Sequence, residues 1–100
     1  MGAVNATLHY GKAGRLDDLE RWAERLRTIA AAFPEDAAIR LREAKGAYNA
    51  TNHYGRAGRF EDMERWRARL AAVARDFPAD PQIQALASNF GVTYVAQTRH

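Results

Sequence analysis

The sequence predicts an all-α fold of antiparallel helical hairpins stacked side by side, and three observations carry that prediction. First, the chain repeats itself 44 residues apart: Asn5-Ala6-Thr7-Leu8-His9-Tyr10-Gly11 returns as Asn49-Ala50-Thr51-Asn52-His53-Tyr54-Gly55. The register then holds through Trp22/Trp66, Leu26/Leu70, Phe33/Phe77, Pro34/Pro78, Asp36/Asp80 and Ile39/Ile83. A fixed period in this range marks a stacked array of supersecondary units. Second, apolar residues recur at spacings of three and four, the period of one helix face. Third, no segment sustains the alternation of a strand, and glycine and proline punctuate the chain at matching places.

Five helices follow, over about residues 3–12, 15–32, 36–55, 59–76 and 80–98. In the second, Leu16, Leu19, Ala23, Leu26, Ile29/Ala30 and Phe33 form one stripe, matched in the fourth by Phe60, Met63, Leu70, Val73 and Phe77. Asp17, Asp18 and Glu20, like Glu61, Asp62 and Glu64, crowd the first turn, where the positive end of the helix dipole favours them. Each of these helices stops at Phe-Pro, because proline disfavours the α conformation in the residue before it. Asp36 and Asp80 are suited to cap the next helix, and Pro81 fits a first helical position, where its missing N–H costs nothing. On the third helix Leu41, Ala44, Ala47, Tyr48, Thr51 and Tyr54 are the expected packing positions. It ends at Gly55-Arg56-Ala57-Gly58, as the first ends at Gly11 to Gly14, with glycine supplying a left-handed stop. Turns this short force antiparallel neighbours.

Composition bounds the class of protein. One hundred residues make one domain's worth of chain, 1–100, 47% hydrophobic and 27% charged. No apolar run approaches the ~20 residues that span a bilayer. Met1 to Ala6 has neither a basic nor an apolar region of a secretory signal, so a cytoplasmic setting and no membrane are expected. There are no cysteines, hence no disulfide or thiolate metal site. The formal charge of +3 comes from fifteen bases interleaved with twelve acids, with no basic block.

The order of helix, glycine turn, helix, proline, helix resembles the tetratricopeptide repeat family. Tyr54, Gly58, Phe60, Leu70-Ala71 and Pro78 match its pattern, and Tyr10, Gly14, Leu16, Leu26 and Pro34 match it in the earlier copy. The family repeats every 34 residues; this chain's longer period makes it a divergent, extended relative. The resemblance implies a right-handed superhelix of about two and a half repeats. It also implies a groove, lined by the first, third and fifth helices, that holds an extended peptide or partner segment. Groove-facing candidates are Asn5, Leu8 and Lys12 on the first helix, and Lys45, Tyr48, Asn49, Asn52 and Arg56 on the third. Some members clamp a C-terminal carboxylate with Lys, Asn and Arg, and Lys45, Asn49, Asn52 and Arg56 make a similar set. Leu8, standing where Asn52 has its equivalent, leaves that clamp incomplete.

Few constellations point to chemistry. Asn5/His9 and Asn49/His53 share a helix face at four-residue spacing. They suit either a polar or two-histidine metal site or, the preferred reading, a hydrogen-bond ladder between hairpins, because no acid or cysteine stands with them at ligand spacing. Trp22 and Trp66 read as packing between neighbouring hairpins. The arginines of the second and fourth helices alternate with acids, Asp17 with Arg21 and Glu61 with Arg65, as on a solvated outer face, and make a nucleic-acid interface the minor reading. No phosphate loop, nucleophile elbow or carboxylate pair suggests an enzyme, and no cofactor is implied.

The expected function is therefore a non-catalytic scaffold binding a protein or peptide through Lys45, Tyr48, Asn49, Asn52, His53, Arg56, Asn5 and His9. The alternative is a structural unit that assembles with itself. Phe90 and Tyr94 stand where Gly46 and Ala50 do, and Val95 replaces Thr51. That aromatic pair on a short array predicts a two-fold homodimer through the last helix.

Overall fold

The computed structural model describes the backbone of residues 2–98 and the side chains of residues 2–89. It is all-helical, with no strand among the described residues: α1 (Ala3–Lys12), α2 (Leu16–Ala32), α3 (Ala37–Arg56), α4 (Phe60–Asp76) and α5 (Pro81–Thr98). The expected boundaries hold to within one residue, the shift arising because the residue expected to open each of the last four helices is its cap.

Local chemistry explains each boundary. The Asp36 carboxylate accepts from the Ile39 N–H at 3.1 Å, and that of Asp80 from the Gln82 and Ile83 N–H groups at 3.0 Å, satisfying donors orphaned at a helix start. At the end of α1 the Arg15 N–H donates to the Tyr10 carbonyl and the Gly14 N–H to that of Gly11; Arg59, Tyr54, Gly58 and Gly55 repeat the pattern after α3. This double bond pattern needs one left-handed residue, supplied by Gly14 (φ +74°) and Gly58 (φ +75°). Each turn is then fastened by an arginine. Arg15 lies over the Tyr10 ring at 5.0 Å and Arg59 over Tyr54 at 5.3 Å, and they pair with Asp18 and Asp62. Phe33 (φ −133°, ψ 62°) and Phe77 (φ −128°, ψ 63°) end α2 and α4 alike. Backbone conformations thus recur at the shift seen in the sequence.

The molecule measures 38 × 28 × 19 Å, and its thinnest dimension is two helix diameters. α1, α3 and α5 pack in sequence against one another; α2 packs against α1 and α3, and α4 against α3 and α5. The central α3 therefore touches all four others. Its buried side includes the small residues Ala44, Gly46, Ala47 and Ala50, which let its neighbours close in. A side chain at Gly46 would meet a Leu26 methyl at 2.5 Å. Leu19 and Ala23 of α2, Trp66, Leu70 and Val73 of α4, and Ile83 of α5 complete the core.

Three expected members of the apolar stripes are corrected. Phe33 and Phe60 are more than half exposed, and Ile29 is also exposed. Phe33 lies past the last turn of α2, at its C-cap. Leu16 is half-buried, and the Tyr54 hydroxyl is 3.4 Å from its carbonyl. Phe60 holds the place of Leu16 one period later, and the residue in the place of Tyr54 is Thr98.

Candidate functional site

Charge separates by layer. α1 and α5 contain no acidic residue, and α3 contains one, Glu43. Glu43 is fully buried. Its carboxylate accepts from Arg40 Nε at 2.9 Å and from Arg69 Nε at 2.6 Å. Arg40, also buried, donates further to the Pro34 carbonyl at 2.8 Å and to Asp76 at 2.7 Å, and its guanidinium lies over the Phe77 ring. This network ties α3 to α4 and leaves no negative charge on the outer face of α1 and α3. What remains exposed there is positive or neutral: Lys12, Arg42, Lys45 and Arg56, with Asn5, Leu8 and His9.

The sequence-derived candidates divide accordingly. Lys45 and Arg56 are exposed on α3, and Asn5 and His9 on α1, where the His9 ring meets Tyr10 edge-on. Asn52 and Tyr48 are half-buried, Tyr48 against the core. The ladder expected between Asn5/His9 and Asn49/His53 is replaced by two different contacts. Asn49 Nδ2 donates to Thr7 Oγ1 at 2.9 Å, joining α3 to α1, and Thr7 donates to the Val4 carbonyl. His53 is buried against Gly11, whose missing Cβ would collide with the imidazole. Asn49 and His53 thus hold α1 to α3, and His53 has little surface left for a groove. No cluster of three or more potential metal ligands occurs among the described residues.

Beside His53 an open cavity of about 390 Å³ is lined by Gly11, Lys12, Gly14, Leu16, His53, Arg56 and Ala57. Burial, reinforced by the charges of Arg56 and Lys12, holds the His53 imidazole below its ordinary pKa. A second cavity of about 440 Å³, mainly apolar, lies near the start of α1, between Val4, Ile39 and Arg42 and the α2 residues Leu26 and Ile29.

Glu20 is a polar centre that sequence reasoning missed. Its Oε1 accepts from the Tyr54 hydroxyl at 2.8 Å, from Trp66 Nε1 at 2.9 Å and from Arg65 Nη2 at 2.7 Å, while Oε2 takes Arg65 Nη1 at 3.0 Å. Burial opposes its ionisation, but these bonds outweigh burial and hold the carboxyl below its ordinary range. Burial, together with the same contact, raises the Tyr54 phenol above its usual value. Glu20 thus joins α2 to α3 and α4. It also changes the expected surface pairing: Arg65 meets Asp62, three residues back, together with Glu20, and Arg21 meets Asp18. The set Glu20, Tyr54, Arg65 and Trp66 shows in the sequence only as spacings of 34, 45 and 46 residues, which no local motif marks.

Phe90, Tyr94 and Val95, the residues of the expected dimer contact, lie outside the described side chains. No helix among the described residues is long and apolar enough to cross a membrane. No protein-family model matches this chain, nor does any curated protein or solved structure.

Proposed function

We propose that this chain is a non-catalytic interaction module that holds an acidic, extended segment of a partner protein against the outer face of α1 and α3. The observation that carries the reading is the absence of any exposed acid on those two helices, whose single carboxylate, Glu43, is buried between arginines. Lys12, Lys45 and Arg56 supply the charge, Asn5 and Asn52 supply hydrogen bonds, and the cavity between Lys12 and Arg56 has room for a terminal or side-chain carboxylate. The Asn49–Thr7 bond and the His53–Gly11 contact support the reading by fixing the spacing between the two helices before a ligand arrives. The tetratricopeptide-like grouping belongs to the same proposal: in such an array this layer forms the groove.

The test is fluorescence anisotropy with a labelled oligo-glutamate peptide, once with a free and once with an amidated C-terminus. Binding weakens with salt, and Lys12→Glu with Arg56→Glu abolishes it, while Arg21→Glu on the other layer leaves it intact. Equal affinity of the Lys12/Arg56 double variant and the wild type rejects the proposal.

A further inference from the structure

We infer that the chain joins head to tail with further copies of itself through a second version of the Glu20 joint. The internal joint brings together one acceptor, Glu20, and three donors 34, 45 and 46 residues later: Tyr54, Arg65 and Trp66. Shifted back one period, the donors recur as Tyr10, Arg21 and Trp22; shifted forward, the acceptor recurs as Glu64. Among the described residues, two side-chain polar atoms are occluded from solvent without a hydrogen-bond partner, and they are Trp22 Nε1 and Glu64 Oε1. Each is one half of the bond that Trp66 and Glu20 make inside the molecule. Arg67 holds Glu64 Oε2 at 3.0 Å, which leaves Oε1 as the open position. Buried polar groups are seldom left unmatched, and a donor at one end with an acceptor atom at the other is what an open array leaves behind.

The apolar surroundings agree. In the internal joint the Tyr54 hydroxyl reaches the Leu16 carbonyl and Leu16 is half-buried; Phe60 stands in the place of Leu16 and is 61% exposed beside Glu64. An incoming Tyr10 would cover it. In this register the incoming α1 aligns, by sequence, with residues 91–100. That stretch carries Thr98 where Tyr10 and Tyr54 stand, too short a side chain to repeat their reach. The N-terminal hairpin of a second copy therefore supplies, in sequence register, the donors that the Glu64 site lacks. Arg21 is exposed and held by Asp18, as Arg65 is by Asp62, so it is already oriented. The contact is heterologous, so it builds open strings or rings rather than a two-fold dimer. Arg21 and Trp22 are not among the residues of the peptide-binding proposal, so the two can fail separately.

Sedimentation of the full chain tests this. The wild-type mass rises with concentration beyond two chains. Glu64→Ser blocks one end and Arg21→Ala/Trp22→Phe blocks the other, so each variant alone stays at the monomer mass of 11.2 kDa. Mixed in equal amounts, they regain a complex that stops at two chains, because one intact end remains on each. Circular dichroism confirms that both variants stay helical, and Arg21→Ala alone, at an exposed position, weakens assembly without touching the core. A wild type that remains monomeric up to about 1 mM, a blocked variant that assembles as the wild type does, or a mixture that gains nothing overturns the inference.

Discussion

Glu43 is the residue on which the buried electrostatics turn. A carboxylate with no solvent contact is tolerated because two guanidinium groups replace its water, and the same bonds neutralise the buried Arg40. Removing one partner leaves a buried charge uncompensated, so Glu43→Ala should cost about 3–5 kcal/mol, read as a fall in the urea midpoint. Glu20 predicts a pH dependence. Its folded pKa lies below the ordinary 4.5, so its contribution is present above the unfolded value and is lost as pH falls through the folded one. Stability should decline on the acid side of pH 4.5, and Glu20→Gln should flatten that decline while lowering stability at neutral pH. An unchanged acid slope in Glu20→Gln removes Glu20 as its source. His53 acts at higher pH. Its folded pKa is depressed, so below the ordinary 6.5 the unfolded chain takes up a proton that the folded chain does not, and stability falls over that window until the folded value is reached.

Among the elements, α1 and the second half of α3 are near-copies in sequence, yet equivalent glycines face different neighbours. A Cβ at Gly11 would strike the buried His53 ring, whereas one at Gly55 would meet only the Met63 sulfur at 3.0 Å, the far end of a flexible side chain. Gly11→Ala should therefore destabilise by about 1–3 kcal/mol through overpacking. Gly55→Ala should be neutral or stabilising by up to about 1 kcal/mol through helix propensity. Thermal unfolding of the two variants decides this, and equal shifts would show that His53 yields as readily as Met63. The contrast also marks what could be read in advance. Helix number, caps and glycine stops were legible because Asp36, Asp80, Gly14, Gly58 and the Phe-Pro pairs act on backbone within four residues of themselves. The bonds of Glu20 to Tyr54 and Trp66, and of Arg40 to Asp76, cross 34 to 46 residues, and nothing local distinguishes those side chains from surface charges. For the same reason Asn49 and His53 looked like groove residues: their spacing placed them on a face, but only the approach of α1 decides that the face is covered.

At the scale of the whole molecule, stability should rise from the ends toward the middle, because each helix is held by the neighbours it can reach. α3 touches every other helix and contributes nine buried residues, including the charged pair Arg40 and Glu43. α1 buries only Ala6, Thr7 and Gly11, has no side-chain cap, and is fastened by the Asn49–Thr7 bond, the His53 contact and the Arg15–Tyr10 turn. Helices this short are marginal without tertiary support. Local opening of α1 also uncovers little apolar surface, whereas opening α3 dismantles the core of Leu19, Trp66, Leu70 and Ile83. Native-state hydrogen exchange should therefore find the amides of Ala47 to Thr51 the slowest, opening only with global unfolding, while those of α1 exchange through a local opening of lower free energy. Asn49→Ala should speed exchange in α1 and leave α4 unaffected, since its bond reaches only Thr7. If α1 amides exchange as slowly as those of α3, the hairpins open as one unit, and the gradient of support from the centre outward is not what sets their stability.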